Sequence, residues 1–451
     1  MNDTIAAIST ALGVGAISII RVSGDDALDI VNKITKAKKI KKVNSHTIYY
    51  DFIVDNDKII DEVLISVMLA PKTFTKENVV EINCHGGIAT TNKILELLLT
   101  NGCRLAQPGE FTKRAFLNGR IDLIEAEGIM NLINSKTETS RNLALNQVSG
   151  KTSELIKNLR QKIIEILANI AVNIDYPEYE DIEELTIDNL RTKIVEIENE
   201  IKHILKKSEN GKIIKEGINV ALIGRPNVGK SSLLNNLLET DKAIVTDIAG
   251  TTRDCVEGTI NLDGIIVNIT DTAGIRQTDD VIESIGVTKS IDLISKANLV
   301  ILLLNNNETI KDDDLNLLEK IKDTNYLIAI NKTDLESKIN IDKLDRNKIV
   351  YISALNNEGI DQLKDKIKQI FNFEQIETDD LTYLTNARAL SLLRQSLNSI
   401  NDIKIGIEKN LPIDMLEIDL KKIWELLGNI IGETYEEELL DQLFSQFCLG
   451  K

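Results

Sequence analysis

A glycine-rich segment between an apolar run and a helical run has the composition of a phosphate-binding loop. Residues 224–231 read Gly-Arg-Pro-Asn-Val-Gly-Lys-Ser, after the strand-like run Ile218–Ile223. Glycines let backbone N–H groups surround phosphate oxygens at a helix N-terminus, a lysine ammonium contacts the β- and γ-phosphates, and a serine hydroxyl suits Mg²⁺. We therefore expect Lys230 to act on the phosphates during catalysis and Ser231 to bind Mg²⁺.

Three later motifs, each directly after a strand-like run, predict that the nucleotide base is guanine. Asp271-Thr272-Ala273-Gly274 places a carboxylate where it can approach Mg²⁺ through water and a glycine near the γ-phosphate. Asn331-Lys332-Thr333-Asp334 follows, and Asp334 can accept hydrogen bonds from guanine N1–H and N2–H₂, a donor pair that adenine lacks. Ser353-Ala354-Leu355 supplies a backbone contact to the base. Because the motifs occur in Ras-like order, we expect GTP to be preferred over ATP.

The residues that would act on water differ from those of Ras-type enzymes. Gly250 to Asp254 lies where such enzymes keep the first switch, and Thr252 can complete the Mg²⁺ shell. Ile275 occupies the position of the water-orienting glutamine, and an apolar side chain cannot orient water. The acidic residues Asp279, Asp280 and Glu283 of the second switch are the candidates for that task.

The hydrophobic periodicity indicates a multidomain α/β plus α chain that places these motifs on a mostly parallel sheet. Strand-like runs alternate with helical runs in a Ras-like G domain, which is inserted into a discontinuous helical domain. One helical stripe comprises Leu155, Leu159, Ile163, Ile166 and Ile170, and another comprises Leu190, Ile194, Ile197, Ile201 and Ile204. The predicted domains are a mixed α/β domain at 1–119, helical halves at 120–212 and 376–451, and the G domain at 213–375.

Composition limits the classes of partner. The 451 residues carry a net charge of −17, so a nucleic acid would have to be contacted locally or together with a partner protein. No apolar run reaches the roughly 20 residues of a membrane span. The four scattered cysteines and three dispersed histidines predict neither disulfides nor a zinc site, and we expect a cytoplasmic protein without a membrane contact.

These motifs, with a terminal Cys448-Leu449-Gly450-Lys451, resemble the MnmE (TrmE) family of tRNA modification GTPases. The likeness extends to Ile19–Gly24, Cys84–Gly87 and Pro108–Asn118, so it covers essentially the whole chain. The resemblance implies an N-terminal domain that dimerises and binds tetrahydrofolate, a helical domain and a potassium-stimulated G domain. It further implies a homodimer that joins an FAD-containing MnmG-type partner in a heterotetramer or larger complex. FAD would enter only through that partner.

The activity implied by the resemblance is GTP hydrolysis coupled to tRNA modification. With its partner, the enzyme would add a carboxymethylaminomethyl-type group to C5 of the wobble uridine of certain tRNAs. The one-carbon donor would be 5-formyl- or 5,10-methylene-tetrahydrofolate.

The resemblance also implies roles for individual residues. Folate contacts fall on Arg21, Glu81, Arg120 and Lys451, and the family also has lysine where Arg120 stands. Mg²⁺ falls on Ser231 and Thr252, the water-orienting carboxylate is Glu283, and Cys448 is a candidate nucleophile without an evident thiolate stabiliser. Potassium falls on Asn227, Thr246, Ile248 and Thr251. The expected GTP contacts are Asn227, Val228, Gly229, Lys230, Ser231, Ser232, Thr246, Asp247, Ile248, Ala249, Gly250, Thr251, Thr252, Asp271, Thr272, Ala273, Gly274, Asn331, Lys332, Asp334, Ser353, Ala354 and Leu355.

Two other classes of GTPase share these nucleotide motifs. A ribosome-assembly GTPase would need an RNA-binding module, but the chain has no GxxG loop in a KH-like context and no basic tail after the G domain. A purely regulatory GTPase fits the G motifs equally well and is disfavoured only by the folate-like positions.

Overall fold

The computed structural model describes residues 3–40, 43–175, 187–240, 258–271, 293–342, 344–373, 381–434 and 437–450. The chain divides into two compact units. Unit 1 comprises residues 1–130, 147–197 and 392–451, and unit 2 comprises residues 131–146 and 198–391. The three predicted domain boundaries remain predictions.

Unit 1 contains a six-stranded sheet in the order β3-β4-β5-β2-β1-β6, in which every neighbouring pair is antiparallel except β1 and β6. Its strands are β1 Ile5–Ile8, β2 Ile17–Ser23, β3 Thr47–Asp55, β4 Lys58–Met68, β5 Val79–His85 and β6 Arg104–Leu105. The sheet alternates buried and exposed residues because one face packs on helices α1 Ala27–Ile34 and α2 Ile88–Thr100. The mixed α/β character predicted for this segment is confirmed.

The remaining helices of the first half of the chain follow α2. They are α3 Glu110–Leu117, α4 Leu123–Asn134, α5 Glu138–Val148, α6 Lys151–Asp175 and α7 Ile187–Glu216. The apolar stripe of α7 is buried as predicted, from Leu190 to Ile204. That of α6 begins at Ile156 and not at Leu155: Ile156 is 0% exposed, whereas Leu155 is half-buried. Both residues are one helical turn from Leu159, so spacing alone could not choose between them.

Unit 2 contains a second six-stranded sheet in the order β12-β11-β10-β7-β9-β8. All neighbouring strands are parallel except β8 and β9. Its strands are β7 Ile218–Ile223, β8 Gly258–Leu262, β9 Ile265–Asp271, β10 Leu299–Asn305, β11 Tyr326–Asn331 and β12 Ile349–Tyr351, with helices α8 Lys230–Thr240, α9 Asp312–Ile321 and α10 Ile360–Ile370. All seven residues of β10 are buried, as expected for a central parallel strand.

The chain ends with helices α11 Ala387–Glu408, α12 Ile413–Ile431 and α13 Glu437–Phe444. Within unit 1, α12 packs along α6, and the Arg160 guanidinium lies 3.9 Å from the centre of the Trp424 ring. Helix α13 packs on α3 through Phe116, Phe444 and Phe447. The packing of α12 on α6 is what the predicted insertion of the G domain into a helical domain requires, and α13 additionally packs on the N-terminal domain.

Candidate functional site

The phosphate-binding loop joins β7 to α8 and needs its glycines. Gly224 has a φ of +148°, and a Cβ added there would lie 2.7 Å from the carbonyl oxygen of Leu303. Gly229 has a φ of +99°, and Asn227 also adopts a left-handed conformation. These conformations exclude most other residue types and turn the backbone around the space before the helix.

Lys230 is the first residue of α8, and its side chain lies across the loop. Its Nζ donates to the carbonyl oxygens of Gly224 at 2.9 Å and Arg225 at 3.1 Å, and the residue is 6% exposed. Ser231 follows on the exposed side of the first turn. An ammonium and a hydroxyl at a helix N-terminus form a site for a phosphate chain and its divalent cation.

Asn331, at the end of β11, connects two of the predicted motifs. Its side-chain amide donates to the carbonyl oxygen of Val228 at 2.8 Å and accepts from the amide of Ala354 at 2.9 Å. The residue is 2% exposed, and a Cβ added at Gly229 would lie 2.3 Å from its Nδ2 atom. Asn331 thus fixes the phosphate loop relative to the base loop, and Gly229 leaves room for it.

The base motif presents an oriented carboxylate. Lys332 Nζ donates to the carbonyl oxygen of Asn227 at 2.9 Å, and the Ser353 hydroxyl donates to Asp334 Oδ1 at 2.6 Å. Ser353 is fully buried, while Leu355 is 85% exposed at the rim. Because Ser353 fixes one oxygen of Asp334, the carboxylate is positioned to accept the two parallel donors of a guanine edge.

The motifs lie at the carboxyl ends of the parallel strands, where open α/β sheets bind ligands. Asp271 pairs with Leu222, directly before the phosphate loop, and Asn331 ends β11. The other expected switch residues lie outside the described residues, so their roles stay predictions. These are Thr246, Asp247, Ile248, Ala249, Gly250, Thr251, Thr252, Thr272, Ala273, Gly274 and Glu283.

An ion-pair network at Arg225 was not predicted from the sequence. Its Nε donates to Asp314 Oδ1 at 2.8 Å, and its Nη2 donates to Glu308 Oε2 at 3.0 Å. The hydrogen bonds from Arg225 and then Asn305 lower the pKa of Glu308 to about 2. The available signal was the acidic first turn of α9, Asp312 to Asp314. Arg225 is therefore a brace of the phosphate loop in this conformation.

A second candidate site lies in unit 1, where Arg21 and Glu81 face each other on β2 and β5. The two residues are in register, and Arg21 Nε lies 2.8 Å from Glu81 Oε1. The Arg21 guanidinium is also 5.8 Å from the ring centre of Phe74 and 5.7 Å from that of Phe111. This cross-strand pair is partly accessible, with 17% of the Arg21 side chain exposed.

Arg120 joins this site through Phe74. Its guanidinium lies 4.8 Å from the ring centre, and its Nη1 donates to the Phe74 carbonyl oxygen at 3.1 Å. Two guanidinium groups thus flank one aromatic ring. Phe74 is an isolated aromatic that no sequence motif marks, and Phe111 lies in the family-like segment Pro108–Asn118 without an assigned role in the site.

The C-terminal tail returns to the N-terminal sheet. The Gly450 carbonyl oxygen accepts from Arg21 Nη1 and from the Ser9 hydroxyl, both at 3.1 Å. Gly450 has a φ of +85°, and a Cβ there would lie 2.4 Å from the carbonyl oxygen of Ile8. Lys451 itself lies outside the described residues.

The cysteines in the described part of the chain are free. Cys84 and Cys103 are buried, and burial raises the pKa of the Cys103 thiol to about 12. Cys448 is exposed, and its carbonyl oxygen accepts from the Gly109 amide at 3.3 Å. Reactivity requires a stabilised thiolate, so a nucleophilic role for Cys448 stays a prediction.

The described residues contain neither a helix suited to span a membrane nor a cluster of metal-binding side chains. None of their helices is long and apolar enough to cross a membrane. Among the same residues, no group of three His, Cys, Asp or Glu side chains could hold a metal ion.

Comparisons with known proteins agree along the whole chain. The model of the MnmE helical domain matches residues 123–448, and that of the GTP-binding protein TrmE N-terminus matches residues 4–120. The tRNA modification GTPases MnmE of Bacillus mycoides and Bacillus licheniformis are each 52% identical over 100% of this chain and at least 99% of their own length. The G domain of the T. maritima FeoB iron transporter is 30% identical over 34% of this chain and 97% of its own, with a TM-score of 0.27, which supports no conclusion. The chain belongs to the MnmE family of tRNA modification GTPases.

Proposed function

We propose that this GTPase is stimulated by potassium and acts with an FAD-containing MnmG-type partner on tRNA. Together they would add a carboxymethylaminomethyl-type group to C5 of the wobble uridine of certain tRNAs, with a tetrahydrofolate as one-carbon donor. The observation that carries the proposal is the second site, in which Arg21, Phe74, Arg120 and the tail meet in the same chain as a guanine nucleotide site. A GTPase that only switches has no need of such a site.

The chemistry of the second site fits a reduced folate. A folate has a flat heterocycle and carboxylates on its glutamate, and an aromatic ring flanked by guanidinium groups suits both. Glu81 fixes Arg21 on the sheet and adds an acceptor for the amino group of the heterocycle. Arg120 is exposed and retains donors for a carboxylate. Lys451 would add an ammonium beside Arg21.

The nucleotide site offers oxygen ligands that fit Mg²⁺ and K⁺. The Ser231 hydroxyl suits Mg²⁺, with Thr252 as the second protein ligand. The exposed Asn227 side chain, for which no hydrogen bond is found among the described residues, offers the amide oxygen that K⁺ prefers. The proposed K⁺ shell is completed by Thr246, Ile248 and Thr251. A cation there would supply the charge that an arginine finger supplies elsewhere, because Arg225 is held by Asp314 and Glu308.

Potassium dependence can be tested on the purified protein. Replacing K⁺ by Na⁺ at equal ionic strength should lower the GTP hydrolysis rate about 10- to 100-fold, because one transition-state contact is lost. Asn227→Ala should remove the difference between the two salts. Glu283→Ala should lower kcat in both salts with little change in GTP affinity, because Glu283 is assigned to water. Equal turnover of the unaltered protein in K⁺ and Na⁺ would refute the potassium site.

Dimerisation is also part of the proposal. The segment between β1 and β2 exposes Leu12 and Val14, which are 77% and 91% accessible, and Ile17 at the start of β2 is 64% accessible. Adjacent exposed aliphatic side chains favour a protein contact. The proposed assembly is a homodimer that binds the FAD-containing partner in a heterotetramer or larger complex.

Nucleoside analysis of tRNA decides the modification itself. Cells lacking this protein should lose C5-modified wobble uridine, and the unaltered gene should restore it. A gene carrying Arg120→Ala should restore less of the modified uridine, although this variant should hydrolyse GTP at the normal rate. Normal wobble uridine in the deletion strain, together with a defect in ribosomal subunits, would instead favour the ribosome-assembly alternative.

A further inference from the structure

A loop in unit 1 reverses the charge of the surrounding chain. The protein has 53 basic and 70 acidic residues, yet residues 30–50 contain six lysines and neither Asp nor Glu. Four of these lysines lie in the described segment 33–40, which runs from the last turn of α1 into the following loop and which we call the lysine loop. They are Lys33, Lys36, Lys38 and Lys39, and all four are exposed.

The backbone of the lysine loop is held firmly by the sheet and by α1. Ile40 is 1% exposed in the core, and its amide donates to the buried Asn32 side chain at 3.1 Å. The Lys36 amide donates to the Phe52 carbonyl oxygen at 2.9 Å. The Ala37 amide donates to Asp51 Oδ1 at 3.1 Å, and Asp51 is itself 6% exposed. A loop fixed in this way presents its lysines without a large ordering cost.

No described carboxylate lies within ion-pair distance of these four ammonium groups. Lys33 Nζ donates to the Asn101 carbonyl oxygen at 3.1 Å, and Lys36 Nζ lies 5.4 Å from the centre of the Phe52 ring. Other lysines of unit 1 are neutralised: Lys93 pairs with Asp55 at 3.1 Å, and Lys157 pairs with Asp122 at 3.0 Å. The lysine loop is therefore a local excess of positive charge on an acidic protein.

We propose that the lysine loop binds the sugar-phosphate backbone of the tRNA substrate. This inference rests on the proposed function for the identity of the RNA. A polyanion is repelled by a chain of net charge −17, so its contact must be concentrated where the local charge is reversed. Lysines are mobile point charges that neutralise phosphates without reading bases, so the loop would hold tRNA and leave the choice of uridine to other residues.

RNA is the occupant favoured over an acidic protein because the loop offers no apolar anchor. The exposed side chains of the lysine loop are short or cationic. The neighbouring aromatic ring, Phe52 of β3, is half-buried under Lys36. Protein interfaces need a desolvated core and are depleted in lysine, whereas phosphate contacts need only accessible cations.

The test replaces Lys36, Lys38 and Lys39 together by Gln in the full chain. Binding of an unmodified tRNA transcript is measured between 50 and 200 mM KCl, a range chosen to resolve the salt slope. Loss of three phosphate contacts should lower the slope of log K against log salt by about two to three and weaken binding about tenfold at 100 mM. A transcript without a wobble uridine should lose the same factor. Replacement of the three lysines by Arg should preserve binding.

Lys409, Lys421 and Lys422, replaced together by Gln, provide the matched control. They are exposed lysines of unit 1, and their removal changes the net charge by the same three units. The control should keep the salt slope and affinity of the unaltered protein. An equal loss in both triple variants would show a net-charge effect and overturn the proposal, as would an unchanged slope in the Lys36/Lys38/Lys39 variant. So would unchanged tRNA binding with loss of binding to the partner protein.

The readouts separate this inference from the proposed function. GTP hydrolysis and folate binding of the lysine-loop variant should equal those of the unaltered protein. If cells lacking the protein keep C5-modified wobble uridine, the proposed function fails whatever the lysines do. If they lose it and the lysine-loop variant binds tRNA with an unchanged salt slope, only this inference fails.

Discussion

The nucleotide site of unit 2 is built in the opposite way to the second site of unit 1, the cationic site around Arg21, Phe74 and Arg120. The nucleotide site uses short contiguous motifs at the ends of parallel strands, held by left-handed backbone positions and by Asn331. The cationic site collects single residues from distant parts of the chain, from Arg21 to Gly450. A loop conformation imposes a local sequence pattern, whereas a tertiary cluster leaves none.

The two regions also stabilise an arginine differently. Arg225 pairs with Asp314, whose side chain is 2% exposed, and with Glu308, whose side chain is 35% exposed. In unit 1, the Arg114 side chain is 1% exposed and contacts Glu77 at 3.1 Å and Glu110 at 3.1 Å. Because screening by water weakens exposed pairs, the Arg225–Glu308 pair should contribute less to stability than the pairs of Arg114.

The largest effect should follow the removal of the buried arginine. Arg114→Met removes the buried guanidinium that contacts Glu77 and Glu110 and should lower the free energy of unfolding of unit 1 by about 3–5 kcal/mol. Burial raises the pKa of Glu110, but hydrogen bonds from Arg104, the Gln107 amide and Arg114 lower it further than burial raises it. Trp424, the single tryptophan, lies in unit 1 and reports its unfolding by fluorescence.

Arg104→Met is the comparison within the same network, because Arg104 also contacts Glu110 but its own side chain is 43% exposed. It should cost about 1 kcal/mol or less. GTP affinity should be unchanged in both variants. Equal destabilisation by the two substitutions would show that the burial of an arginine does not determine its contribution to stability.

The next effect concerns the base. Asp334→Asn removes a charged acceptor for two guanine donors, at about 1.5–3 kcal/mol per hydrogen bond, so GTP affinity should fall at least about 100-fold. The Ser353 hydroxyl can still donate to the new amide oxygen, so the loop should keep its conformation. Xanthosine triphosphate should bind the variant better than GTP does. Titration calorimetry with both nucleotides checks this, and unchanged GTP affinity would remove Asp334 from the base site.

A smaller effect is expected from the tail. Deleting residues 448–451 removes the Gly450 carbonyl that accepts from Arg21, together with the Lys451 ammonium, and should weaken 5-formyltetrahydrofolate binding about tenfold. It should also abolish tRNA modification and leave K⁺-stimulated GTP hydrolysis unchanged. Lys451→Gln removes the ammonium and keeps the Gly450 carbonyl that accepts from Arg21. It should weaken folate binding if the ammonium contacts the ligand. Calorimetry that gives the unaltered folate affinity for the deletion would exclude the tail from the site.

What the sequence could predict follows the same division. Lys230, Asn331 and Asp334 were identified from spacing, because a phosphate loop and a base loop tolerate few alternatives in residue type and order. The mostly parallel character of the sheet follows from alternating strands and helices. Arg21, Glu81 and Arg120 were available only through family resemblance.

Phe74, Phe111 and the Arg225 brace were not predicted. Each depends on which distant chain segments pack together, and nothing in its local sequence encodes that. The choice between Leu155 and Ile156 failed for a related reason, because helix rotation is fixed by the partner helix and not by the stripe itself.

The smallest predicted effect is the pH dependence of stability that arises from the Arg225–Glu308 pair. Glu308 has a folded pKa of about 2 against an ordinary 4.5, so its ionised form is favoured by folding. This contribution is complete above about pH 4.5 and is lost as the pH falls from there towards 2. Arg225→Gln removes the main cause of the low pKa, so the variant should lose less stability over that pH interval. The coupling energy between Arg225 and Glu308 at pH 7 should be below about 1 kcal/mol, because the Glu308 side chain is about one-third exposed. Denaturant unfolding followed by circular dichroism at pH 7, 4.5 and 2.5, with Glu308→Gln and the double variant, measures the coupling. If Arg225→Gln and Glu308→Gln were additive at every pH, the two side chains would not be coupled, and the comparison with Arg114 would lose its exposed member.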